Sequence, residues 1–307
     1  MKRILVVGEI NVDLVFKNCQ ALPSPGREVL AEDFIMTPGS SSMICAMGLA
    51  RLGNPVVFHG KVGADPWGSY CLDALRQADI DIASVVPDAA LRTGVTASLS
   101  TPQDRALVTF AGAIDSLRAG DVSEALLTSA DHLHVASYYL QRALRADCRA
   151  LFARAREAGL STSLDPGFDP QQAWASDLLD TLAEVDLFLP NELELAAITG
   201  RDGLLDGLHA LDNGHTQTVV KRGQRGCASL QQGQLLEVPA FAVDPIDSTG
   251  AGDSFDAGFL HAWLRGLSLP DSLRWGSACG SLSTRGIGGT AGQANTAEVQ
   301  ALLVPSS

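Results

Sequence analysis

Two hydrophobic rhythms alternate along this chain. Short, largely apolar runs at 4–8, 56–63, 133–137, 161–164, 187–190 and 218–220 have the form of strands buried on both faces of a parallel sheet. Between them apolar residues return every three or four positions: Met43, Ala46, Met47 and Ala50; Tyr70, Leu72 and Leu75; Leu144, Cys148, Leu151, Phe152 and Ala155. That spacing predicts helices with one buried face, and Gly53 and Gly159 stop two of them. Strand, helix and strand in repetition predict right-handed βαβ units and a mainly parallel sheet between helices. Two stretches break the rhythm. Residues 22–38 carry Pro23, Pro25 and Gly26 before an extended run, and 94–110 reads as a hairpin turning at Pro102, Gln103 and Asp104. They predict a small second sheet from segments at about 14–37 and 92–112, inserted in a single α/β domain spanning 1–307. A decorative edge hairpin would leave the same pattern.

Bulk composition narrows the function. With 46% apolar residues and 30 glycines in 307 residues, the chain has ample core and many tight turns. A formal net charge of −13 repels phosphate-rich surfaces, which argues against nucleic acid and anionic membrane as partners. A nucleotide needs only a local pocket and is not excluded. The six cysteines are scattered without a C-x-x-C pair, so buried free thiols in a reducing compartment are expected, and no zinc site. The first strand starts within a few residues of Met1 and no apolar run reaches membrane-spanning length, so a cytoplasmic protein is expected.

Polar residues gather just past the strand ends, where open parallel sheets place their ligands. Asn11 and Asp13 follow the first run, Tyr138 follows 133–137, Asp165 follows 161–164, Asn191 and Glu194 follow 187–190, and Lys221 follows 218–220. One stretch carries more than the others: Asp247-Ser248-Thr249-Gly250-Ala251-Gly252-Asp253. Gly250 and Gly252 allow a tight turn and close approach of a ligand. Asp253 then opens an apolar helix through Phe255, Ala257, Phe259 and Ala262, ended by Gly266. The N–H groups of Gly250, Ala251 and Gly252 at such a helix start form an anion site. A carboxylate beside an anion site makes chemical sense if Asp253 takes a proton from a hydroxyl that attacks a phosphoryl group held there. The plain alternative is a glycine turn with Asp253 as a cap. In the same way, Asn191 and Glu194 either organise a hydrated magnesium ion or only cap a helix. The 221–226 loop, with Lys221, Arg222 and Arg225, either offsets triphosphate charge or is a solvated turn.

These strings resemble the PfkB-type, ribokinase-like carbohydrate kinases. Residues 247–260 match D-T-x-G-A-G-D-x-F-x-x-G, with Ser248 for the usual Thr. G-x-I-N-x-D stands at 8–13, A-R-L-G at 50–53, G-x-V-G-x-D-x-x-G at 60–68 and N-x-x-E at 191–194, while the T-x-G-x-x-G loop has Lys221 in the Thr position. The G-G-x-x-x-N head of the N-terminal signature departs, with Ser40 for the second Gly and Ile44 for the Asn. The resemblance implies a ribokinase-like three-layer α/β/α fold and a small β-sheet lid through which a homodimer would form. It implies ATP and Mg2+ as cofactors, with K+ near Asp247 and the 286–289 turn. Asn11, Asp13, Gly39, Ser40, Ser41 and Tyr138 would bind the acceptor. Asn191, Lys221, Gly223, Gly226 and Ser277 would bind the nucleotide, and Glu194 would reach magnesium through water. The family's Asn binds a substrate hydroxyl, so at Ile44 that contact is absent or passes to Ser40, Ser41 or Tyr138. Ribose is therefore expected to be a poor acceptor.

The sequence thus reads as an ATP-dependent kinase that phosphorylates a hydroxyl of a small, fructose-like sugar, with Asp253 as general base. A nucleoside kinase of the same family and a catalytically silent sugar-binding relative are the alternatives. A nicotinamide-dependent dehydrogenase is disfavoured, because Phe255 stands where the third small residue of its fingerprint would be and no such fingerprint follows the first strand.

Overall fold

A computed structural model describes residues 1–101, 105–174 and 177–304. The turn expected at Pro102, Gln103 and Asp104 lies outside these residues. Among the described residues the main sheet has eight strands, in the order Gln234–Val238, Cys227–Gln231, Gln217–Lys221, Leu187–Phe188, Ser161–Leu164, His132–Val135, Ile4–Val7 and Val56–His59. The six from Gln217–Lys221 onward run parallel, and the first two return antiparallel as an edge hairpin. That hairpin was not foreseen. Its two-residue turn, Gln232 (φ 52°) and Gly233 (φ 77°), has the left-handed geometry usually announced by Asn-Gly or Asp-Gly.

Ile4, Leu5, Val6 and Val7 are all fully buried, because both faces of this central strand are covered. Ile4 and Val6 join a core with Met43, Leu72, Phe255 and Phe259; Leu5 and Val7 join another with Leu151, Phe152 and Leu208. The helices Ser41–Arg51, Pro66–Gln77 and Ala251–Trp263 supply the first core, and Cys148–Glu157 and Leu204–Ala210 the second. Each buried aliphatic side chain contributes roughly 1.5–3 kcal/mol, so this period-two division holds the three layers together.

The small sheet has the order Asp33–Pro38, Asn11–Lys17, Gly94–Ser100 and Arg105–Phe110. Asn11 and Asp13 follow the strand Ile4–Val7 as expected, and they also begin the next strand. After Gly8 the chain leaves the main sheet and enters the small one at once. The expected strand at 56–63 breaks in two at Gly60, where an added Cβ would come within 2.4 Å of the Gly8 carbonyl oxygen. Its second part, Lys61–Gly63, pairs with Val86–Asp88. All six cysteines are buried and free. Among the described residues no helix is long and apolar enough to cross a membrane.

Candidate active site

The helix Ala251–Trp263 begins at Gly250, whose φ of 71° belongs to the left-handed region. A Cβ at 250 would also meet the Gly289 Cα at 2.6 Å, so both backbone and space require glycine. No side chain caps this helix. The Ala251 N–H reaches the Ser248 carbonyl at 3.2 Å, whereas those of Gly250, Gly252 and Asp253 have no protein acceptor among the described residues. The turn thus keeps donors for an anion, with Asp253 sharing the role expected of Ala251. Ile44, 3% exposed, packs beneath: its Cγ2 would lie 3.0 Å from a Cβ at 250, and its Cδ1 2.2 Å from one at Gly289. Ile44 is the floor of the anion turn.

Asp253 keeps some exposure on the crevice side, from which an acceptor would approach. Burial, then the Asp165 charge, push its carboxyl up to about 7, while Lys221 and the Ser41 hydroxyl pull the other way. A carboxylate at that value is poised to accept a proton near neutrality. Next to it lies a cluster whose parts the sequence displayed without their connection. The Lys221 ammonium donates to Asp165 Oδ2 at 2.6 Å and to Asp256 Oδ2 and Oδ1 at 3.0 and 3.1 Å. All three are buried. Lys221 ends its strand, Asp165 directly follows the strand Ser161–Leu164, two places along the sheet, beyond Leu187–Phe188, and Asp256 stands one helical turn after Asp253. That i, i+3 spacing was the available signal.

Three of the residues expected to bind an acceptor, Asn11, Asp13 and Gly39, come together where the chain passes from the main sheet to the small one. Asn11 Nδ2 donates to Asp13 Oδ1 at 2.9 Å and to Thr96 Oγ1 at 3.3 Å. A Cβ at Gly39 would lie 2.1 Å from Asp13 Oδ1, so Asn11, Asp13 and Gly39 form one corner. Ser40 is largely committed elsewhere: its hydroxyl donates to the Glu9 carbonyl at 2.8 Å and accepts from Met43 N at 3.0 Å as a helix cap. Glu9, which the sequence reading passed over, is buried and accepts from the Ser42 hydroxyl at 2.5 Å, fastening this loop from below. Burial drives the Glu9 carboxyl upward against that bond. Tyr138 does not join the corner. It is buried, and its hydroxyl meets Asp177 Oδ2 at 3.2 Å and Thr181 Oγ1 at 3.3 Å within the second core.

On the other side of the turn opens a cavity of about 490 Å³, lined by Lys221, Gly223, Gly226, Phe241, Ser277 and Thr284 and reaching Ala251 and Gly252. Four of the five nucleotide residues expected from sequence therefore share one largely apolar space adjoining the anion turn. Ser277 spends its hydroxyl on the Pro239 carbonyl (2.8 Å), so it presents a wall rather than a donor. Arg222 and Arg225 pair with Glu192 and Glu237, not with the cavity. Asn191 and Glu194 form a capping box, Asn191 N donating to Glu194 Oε2 at 2.7 Å and Glu194 N to Asn191 Oδ1 at 2.9 Å. Glu194 is nonetheless buried, and burial followed by the Asp165 charge raises its carboxyl to about 7. Asp247 Oδ1 accepts from Thr249 N (2.9 Å) and Oγ1 (2.7 Å), and its Oδ2 from Gly288 N (2.8 Å), lacing the anion turn to the 286–289 turn.

Unpaired N–H donors and a buried carboxylate adjoin an apolar cavity at the ends of a mainly parallel sheet, an arrangement that suits an enzyme acting on an anionic group. The chain belongs to the pfkB family of carbohydrate kinases, whose family model matches residues 1–296. It is 31% identical to a fructokinase of Klebsiella pneumoniae, over 92% of this chain and 93% of that one. The ribokinase of Thermotoga maritima superposes with a TM-score of 0.84 at 21% identity, covering 99% of each chain. A fructokinase of Vibrio cholerae, in a fructose-, ADP- and calcium-bound form, superposes with a TM-score of 0.82 at 25% identity over 99% of both chains. The ribokinase-like three-layer fold expected from the sequence is the fold observed.

Proposed function

We propose that this carbohydrate kinase transfers the γ-phosphoryl group of ATP to a hydroxyl of a small, uncommitted sugar of the fructose kind. One observation carries the reading: Asp253, at the start of the helix that the donor turn opens, is hydrogen-bonded by the Ser41 hydroxyl of the 39–41 loop, while the apolar cavity reaches Ala251 and Gly252 of the same turn. In this scheme Asn11, Asp13, Gly39 and Ser41 orient the sugar, with Ser40 holding the loop. Gly223, Gly226 and Ser277 wall the nucleotide, and Lys221 lies at its phosphate end. The acceptor hydroxyl gives its proton to Asp253 as its oxygen bonds to the γ-phosphorus. The bond to the β-phosphate oxygen breaks and ADP leaves, while the N–H groups of Gly250, Gly252 and Asp253 hold the transferring oxygens.

The excess of buried carboxylates over Lys221 around Glu194 fits a divalent cation, and the capping bond to Glu194 Oε2 leaves the other oxygen for a water-carried contact. Magnesium bound there would neutralise charge on the phosphate oxygens. Asp247, which ties the anion turn to the 286–289 turn, is the residue beside which a monovalent cation such as K+ would sit. The fructose preference is supported by the Klebsiella relative and by the fructose in the Vibrio structure.

The test is a coupled assay for ADP release over ketoses, aldoses, sugar acids, sugar phosphates and nucleosides. Fructose or a close ketose should give the highest kcat/KM. A nucleoside as the best acceptor, or no turnover with any, would overturn the reading.

A further inference from the structure

Three carboxylates, those of Asp165, Asp253 and Asp256, place oxygens within 4.8 Å of one another, a grouping that ordinarily calls for a cation. The protein supplies one of its own. The Lys221 ammonium is bonded to Asp165 and Asp256, and its stem approaches within 3.7 Å of where a Cβ on Gly252 would stand. It therefore lies directly behind the anion turn and beside the base. We propose that Lys221 is a positioning residue for phosphoryl transfer: an internal cation, fixed by Asp165 and Asp256, that holds Asp253 in its charged form. The inference rests on Asp253 being the base.

The division of charge in the cluster supports it. Asp165 has the shorter contact to Lys221 and also accepts from Gly167 N at 2.8 Å. Although burial opposes it, Lys221 keeps Asp165 below the usual carboxylate range. Asp256, fully enclosed and next to that charge, is pushed well above that range by burial, against the pull of Lys221. Among the described residues Lys221 is the cation that acts on Asp253, and the Asp165 charge opposes it most strongly, with Glu9 behind. Asp256 on its own helix, Glu194, and the Cys45 thiol of the helix Ser41–Arg51 also face Asp253. His134, on the strand beside Asp165, is held neutral by burial, with its pKa lowered to about 4.

The test is the pH dependence of kcat/KM for the acceptor, read by ADP release from the full chain at saturating ATP and magnesium. Lys221→Met should move the acid limb up by about one pH unit or more, since it removes the cation that attracts the charged base. Asp165→Asn should move the limb down, because it removes the strongest repulsion while keeping an acceptor for Lys221. Lys221→Arg should leave the limb near its wild-type position. Opposite shifts cannot come from loosened packing. A loss of rate equal at every pH in both variants would overturn the inference. If Lys221→Met shows no cooperative thermal unfolding, Asp165→Asn decides alone, and an unmoved limb overturns the inference. Asp253→Asn separates the two claims. Should it keep more than about a tenth of wild-type kcat, the base reading falls and this inference with it; should it be inactive while the limbs stay fixed, only this inference falls.

Discussion

At the scale of single residues, the most direct prediction concerns Asp253. Asp253→Asn keeps the shape of the side chain but cannot accept the proton, so kcat should fall by about two to four orders of magnitude while ATP and acceptor still bind. Equilibrium binding measured beside kcat checks this, and weakened binding of both ligands would point to damage instead. Because the carboxyl sits at about 7, the base is charged above that pH and protonated below it. Wild-type kcat/KM should therefore rise with pH through neutrality, standing roughly tenfold below its plateau at one unit under the midpoint. A profile flat from pH 5 to 8 would contradict it. Glu194→Gln should raise the magnesium requirement more than the acceptor KM, since only charge toward the ion is lost. An unchanged magnesium titration would remove Glu194 from the site. Asp253 was legible in the sequence because several fixed neighbours accompany it. Tyr138 was misread because position after a strand fixes the backbone, but which way a side chain packs depends on partners far along the chain. Tyr138 turns to Thr181.

At the scale of elements, strands and helices were the most readable part, because burial on two faces or one leaves different periods. What escaped were features set by close backbone approach. The break at Gly60 reflects the Gly8 carbonyl, and no local pattern encodes it. The strand Asn11–Lys17 was half hidden because its first residues carry chemistry and read as a turn. That strand and the loop at Gly39 must touch for the acceptor corner to exist. Gly39→Ala would put a methyl group 2.1 Å from Asp13 Oδ1, forcing the corner apart. The acceptor KM should rise at least about tenfold with the ATP KM within roughly twofold of wild type. Equal changes in both constants would show a general disturbance rather than a local one.

At the scale of the whole molecule, the small sheet exposes Phe34 (52%), Met36 (37%), Val108 (65%) and Phe110 (46%), which by register lie on one face, opposite that of Asn11 and Asp13. An apolar face of this kind supports the proposed homodimer through the lid. Phe34→Glu combined with Val108→Glu should give a monomer in sedimentation velocity where the wild type gives a dimer; an unchanged sedimentation coefficient would place any interface elsewhere. The joining of the anion turn to the 286–289 turn through Asp247 was invisible locally, because it spans the bond from Asp247 to Gly288 N. The same distance in sequence has a consequence for how the enzyme comes alive. Asn11 and Asp13 belong to the first residues of the chain, and Asp253 and Gly289 to its last quarter, yet they form one site. A nascent or refolding chain can complete its hairpins and helices early, but has no working centre until its two ends are stitched together. In refolding from denaturant, far-ultraviolet dichroism should recover before ADP release does, and the interval between them would time the closure of that last, longest loop.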